Sequence, residues 1–126
     1  DLSINKITEL PCLRQPQLTK INLAENAIAT AANFNGHSRV MVLNLSKNKL
    51  TTCEGICHMA SLEEINLSEN EIANVDELKN MPNLKVLNLN TNKLTTLEKL
   101  NPLPCLENLD VSTNALEKPD SLAHLA

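Results

Sequence analysis

The stretches "LNLSKNKL" at 43–50, "INLSENEI" at 65–72 and "LNLNTNKL" at 87–94 are near copies of one another. Working outward, the asparagine near the end of each belongs to a longer series: Asn5, Asn26, Asn48, Asn70, Asn92 and Asn114, spaced 21 residues once and 22 thereafter. Apolar residues keep fixed offsets from it. One register holds Leu18, Val40, Leu62, Leu84 and Leu106, and three residues on come Ile21, Leu43, Ile65, Leu87 and Leu109. Leu23, Leu45, Leu67, Leu89 and Val111 follow two residues later, and Ile28, Leu50, Ile72, Leu94 and Leu116 lie two past each asparagine. Self-similarity at this period is the mark of a solenoid, in which each unit buries its apolar side only against its neighbours.

Within each unit the alternation in "LNLS" predicts a strand, with Leu43 and Leu45 inward and Asn44 and Ser46 outward. Six such strands, stacked in parallel at about 4.8 Å, would make a sheet roughly 24 Å across. The repeated asparagine is expected to turn inward where the chain leaves the strand and to pair backbone groups that have lost their ladder partners. The return segment recurs every three residues, as Cys53, Ile56 and Met59, then Val75, Leu78 and Met81, then Leu97, Leu100 and Leu103. That spacing predicts short helical or 3₁₀ turns on the convex side, ended by Pro82 and Pro104. The coil from 18 to 39 is less regular, with Ala and Asn around Phe34 and Gly36.

These residues spell L-x-x-L-x-L-x-x-N-x-L five times, and in shortened form once at "DLSINKI". The chain resembles a leucine-rich-repeat protein of the short, 22-residue, phosphatase-1-regulator-like subclass. The resemblance implies an α/β solenoid with a concave parallel β-sheet, occupying 1–126 as one domain. Its repeats run at about 1–17, 18–39, 40–61, 62–83, 84–105 and 106–126. Because the chain starts inside a strand and stops inside a return turn, it reads as a fragment open at both ends. A further repeat, cap or partner is then expected against Leu2 and against Leu122 and Leu125.

Composition narrows the partners. Eleven Lys and Arg against fifteen Asp and Glu give a net charge of −4, with no basic stripe, so nucleic acid is not an expected partner. No apolar run reaches the roughly 18 residues of a membrane span. No Ser/His/acid constellation and no phosphate-cradling glycine loop is present, which points away from catalysis, from a cofactor and from a small-molecule substrate. The run "CEGICH" brings Cys53, Cys57 and His58 together, but Cys53 holds the inward position of Val75 and Leu97, so a buried thiol is expected and no metal site. Cys12 and Cys105 lie coils apart and cannot pair. The four cysteines point to a reducing, cytoplasmic compartment. The sequons at Asn44 and Asn66 are by-products of the repeat's own wording. Glu63 and Glu64 read as a solvated pair.

The remaining surface is the concave face. One row there reads Asn22, Asn44, Asn66, Asn88 and Asp110, headed by Asp1, and a second reads Lys20, Val42, Glu64, Val86 and Asn108. A third, of Ser3, Ala24, Ser46, Ser68, Asn90 and Ser112, is expected to be outward as well, with Glu25, Lys47 and Glu69 on the rim. This face is the expected site for other proteins. The stretch "LPCLRQPQLTKINLAEN" at 10–26 resembles leucine-rich-repeat proteins of the ciliary axoneme, including those of the radial spoke. That resemblance implies a structural adaptor in a large assembly. Regulation of a Ser/Thr protein phosphatase is the alternative, and a secreted recognition module is disfavoured by the free cysteines.

Overall fold

A computed structural model describes residues 1–10, 13, 15–34 and 37–117. Expectations for Cys12, Gly36, Leu122 and Leu125 lie outside the described residues. Five three-residue strands follow one another: β1 (Lys20–Asn22), β2 (Val42–Asn44), β3 (Glu64–Asn66), β4 (Val86–Asn88) and β5 (Asn108–Asp110). They form one parallel sheet in chain order. The register is that of the repeat, so Lys20 faces Val42, Val42 faces Glu64, Glu64 faces Val86 and Val86 faces Asn108.

The expected sixth strand is not formed. Asp1–Ile4 lies beside β1 and lengthens the ladder by two bonds, Leu2 N–H to Asn22 O at 2.8 Å and Ile4 N–H to Ala24 O at 2.9 Å.

The core is a continuous stack of aliphatic side chains. From the strands come Ile21, Leu43, Ile65 and Leu87, and Leu23, Leu45, Leu67 and Leu89 follow as the chain turns in. Return segments close it with Ile28, Leu50, Ile72 and Leu94 and the residues after them. Burying each of these side chains stabilises the fold by about 1.5–3 kcal/mol. In the coil from 18 to 39, Ala31 and Phe34 occupy the places that Val75 and Leu78 hold two coils later. A small and a large side chain replace two of middle size, and both are fully buried.

The expected helical or 3₁₀ turns on the convex side are absent: the described residues contain no helix. Each return segment instead makes two separate turns closed by one bond each. In the third coil these are Ile56 N–H to Cys53 O and Leu62 N–H to Met59 O, and in the fourth Leu78 N–H to Val75 O and Leu84 N–H to Met81 O. Two causes break the helical run. His58 and Asn80, between the two turns, are left-handed at φ 56° and 57°, which no right-handed helix can include. Other backbone N–H groups are committed sideways to the preceding coil, such as Lys49 to Ile28 O and Glu71 to Leu50 O. Spacing by three was a signature of inward positions, not of helix.

Candidate functional site

The strand ends explain both asparagine series. In the fourth coil, Asn70 is buried, and its Nδ2 donates to Leu45 O at 3.0 Å, to Leu67 O at 3.1 Å and to Ser68 O at 3.1 Å. Its Oδ1 accepts from Leu50 N–H at 3.0 Å. Asn26, Asn48, Asn92 and Asn114 repeat this set, so each carboxamide ties its own coil to the one before. Asn48 is buried like Asn70, whereas Asn26, Asn92 and Asn114 are half-buried. Asn5 is exposed and bonds only Leu2 O and Ser3 O within its own turn.

Because those carbonyls are taken by the inner asparagines, the N–H two residues after each strand end lacks a ladder acceptor. The outer row supplies one. Asn22 Oδ1 accepts from Ala24 N–H, Asn44 from Ser46, Asn66 from Ser68 and Asn88 from Asn90, at 2.9–3.2 Å. Asp110 does the same for Ser112 at 3.0 Å, and hydrogen bonds from the Ser112 hydroxyl and N–H hold its carboxyl below the usual carboxylate range. Asp1 caps Ser3 at 2.9 Å. Sequence reasoning missed this capping role, although the signal was present: only Asn and Asp fill the row, and both make such i to i+2 turns.

The third row is corrected in its middle: Ala24, Ser46 and Ser68 are buried, whereas Ser3 and Asn90 are half-buried and Ser112 is exposed. The residue after each, Ile4, Glu25, Lys47, Glu69, Thr91 or Thr113, is left-handed at φ 53–56°. That turn swings the chain inward one residue before the ladder asparagine.

What the concave sheet presents is therefore the capped amides and the row beside them. Val42 and Val86 are half-buried, while Lys20, Glu64 and Asn108 are exposed. A depression of about 250 Å³ runs across the three central strands, lined by Val42, Asn44, Glu64, Asn66, Val86 and Asn88. One residue outside this row, Lys85 Nζ meets Glu63 Oε2 at 2.9 Å, and the Glu63 hydrogen bond raises the Lys85 pKa. Glu63 and Glu64 thus differ, one ion-paired and the other open.

On the return side Cys53 is buried at the inward position, where burial and then the Glu77 charge push its thiol up to about 12. Its sulfur is an unreactive packing group. Cys57 and His58 instead face a cavity of about 300 Å³ shared with Phe34, His37 and Gly55. Among the described residues no group of three or more His, Cys, Asp or Glu could hold a metal, and no helix could cross a membrane. His37 stacks on Phe34 at 4.4 Å between ring centroids, and its Nε2 is out of solvent without a partner. His58 Nδ1 accepts from Asn80 Nδ2 at 3.1 Å. Gly55 sits at φ 87°, where a Cβ would lie 1.8 Å from Ala31 O. Within "CEGICH" the packing residues are thus Cys53, Gly55 and Ile56.

A leucine rich repeat model matches residues 16–72, and a leucine rich repeats model of two copies matches 60–102. No curated protein matches the chain significantly. Leucine-rich-repeat domains generally mediate protein–protein interaction and are typically non-enzymatic. Stacked parallel strands, an inward asparagine in every coil and the two overlapping matches give one answer: the chain is a leucine-rich-repeat protein.

Proposed function

We propose that this solenoid is a non-enzymatic scaffold that holds another protein on its concave sheet, as a structural adaptor within a large cytoskeletal assembly. The observation that carries the reading is the open strand face itself. Its rows are in register over five strands, and its backbone is fixed from behind by the asparagine ladder. A surface held so rigidly binds with little ordering cost. It offers no Trp or Tyr anchor, so affinity comes from many modest polar contacts and from the partner's place in an assembly. The resemblance of residues 10–26 to axonemal proteins names the ciliary radial spoke as the setting. Free thiols at Cys53, Cys57 and Cys105 are in keeping with the cytoplasm.

The test is fractionation of the full-length tagged protein in a ciliated cell after detergent extraction. Retention in the insoluble axoneme through moderate salt is the expected result. Release into the soluble pool with a phosphatase would favour the regulatory alternative and end the axonemal reading.

A further inference from the structure

The centre of the concave face is unfinished in one chemical respect. The lysine one residue outside the Glu64 row, Lys85, is engaged by Glu63, and Lys47 at the strand-side rim is engaged by Glu25. Glu64, in the middle strand, has no cation among the described residues. Its row neighbours are Val42 and Val86, and the lysine of that row, Lys20, stands two strands away at about 9.6 Å. The amides beside it are half committed. The Oδ1 atoms of Asn44, Asn66 and Asn88 are fixed by their caps, while the Nδ2 donors have no acceptor among the described residues. The face thus offers one open carboxylate between two apolar walls, flanked by a line of N–H donors.

We propose that this depression receives an arginine or lysine side chain from an extended segment of the partner protein. This deepens the reading that the concave sheet is the binding face and rests on it. The aliphatic stem lies between Val42 and Val86, where its methylenes cover half-buried apolar surface, and the cationic head meets Glu64. Backbone carbonyls of the same segment accept from Asn44, Asn66 and Asn88. The volume of about 250 Å³ suits one long side chain, since small-molecule sites start at about 300 Å³. A partner led by an acidic or aromatic residue finds no match, because the only charge at the centre is negative and the walls are short.

The probe is a random twelve-residue peptide library displayed on phage and panned against the purified chain, with selected peptides titrated by fluorescence anisotropy. Enriched peptides are expected to share one Arg or Lys, to weaken about tenfold on Glu64→Gln, and to bind less tightly as salt rises. Glu64→Lys should reject them and accept versions in which that Arg or Lys is replaced by Glu, a swap that a folding defect cannot imitate. If enriched peptides compete for the concave face, being blocked by Asn66→Arg, yet carry no shared cation and ignore Glu64→Gln, the inference is overturned and the binding face survives. If no peptide is enriched, or the enriched ones ignore Asn66→Arg, both readings fall.

Discussion

The two sides of the solenoid solve the same stacking problem differently. On the strand side every coil uses the same parts: a ladder bond, an outer Asn or Asp cap, a left-handed residue and an inner asparagine. On the return side each coil improvises. Ala31 with Phe34, Cys53 with Ile56, Val75 with Leu78 and Leu97 with Leu100 fill equivalent space with different shapes. The left-handed residue between the two turns is His58, then Asn80, and then gives way to Pro102, whose ring forbids it. Hydrogen bonds demand fixed atoms at fixed places, whereas apolar packing demands only that volume be filled. The strand side is therefore fixed by chemistry and the return side by volume.

The largest effect expected from breaking this contrast lies on the return side, where volume leaves no slack. Gly55→Ala puts a Cβ against the Ala31 carbonyl and imposes a side chain on φ 87°. A loss of about 3 kcal/mol should follow in urea unfolding. Glu77→Ala, at the equivalent place with no positive φ, should lose little. Equal losses would remove the close approach as the cause.

The next effect tests the strand side. Asn70→Ala leaves the buried Leu50 N–H unpaired and takes one of two donors from each of Leu45 O, Leu67 O and Ser68 O, for about 2 kcal/mol. Asn5→Ala breaks only two exposed bonds within one turn and should stay within about 0.5 kcal/mol. A thermal melt that ranked the two alike would show that bridging between coils is not what the asparagine contributes.

This contrast also marks what the sequence made legible. The period placed every inward strand residue and every ladder asparagine, because a hydrogen-bonded position tolerates one residue type and repeats it. The outer row was read as surface alone, although its fixed Asn or Asp carried the same message. Ser46 and Ser68 were assigned outward by simple alternation, which fails where the left-handed Lys47 and Glu69 turn the chain inward. The return side was least legible. Its spacing by three fits inward turns and helices equally, and left-handed His58 has no signature in a lone sequence. Gly55 was overlooked because the reading of that run weighed only its cysteines and histidine, as a buried thiol against a metal site.

A smaller effect sharpens the account of the outer row by separating cap from contact. Asn66→Ala removes the acceptor for the Ser68 N–H and should cost about 1 kcal/mol. Asn66→Asp keeps an acceptor, as Asp110 does naturally, and should leave the melting temperature nearly unchanged. Similar destabilisation by both would mean that the free Nδ2 also has a structural role.

The smallest effect concerns a half-buried histidine that fills volume on the return side. His37 stands where the next coils have Met59, Met81 and Leu103, stacked on Phe34, with Nε2 shielded and unpaired. Burial lowers its pKa from the ordinary 6.5, so the folded chain resists a proton that the unfolded chain accepts. Its neutral form is fully matched to the fold above 6.5, and that contribution is lost as pH falls from there through the lowered value. Partial exposure of the ring keeps the slope shallow. Melts between about pH 8 and pH 5, above the range where ordinary carboxylates titrate, should show the wild-type chain losing stability relative to His37→Met. The two curves should run closest at the alkaline end, since only the charged imidazole conflicts with a position that its neighbours fill with methionine. Parallel curves would mean that His37 takes up its proton in the folded chain as readily as in the unfolded one.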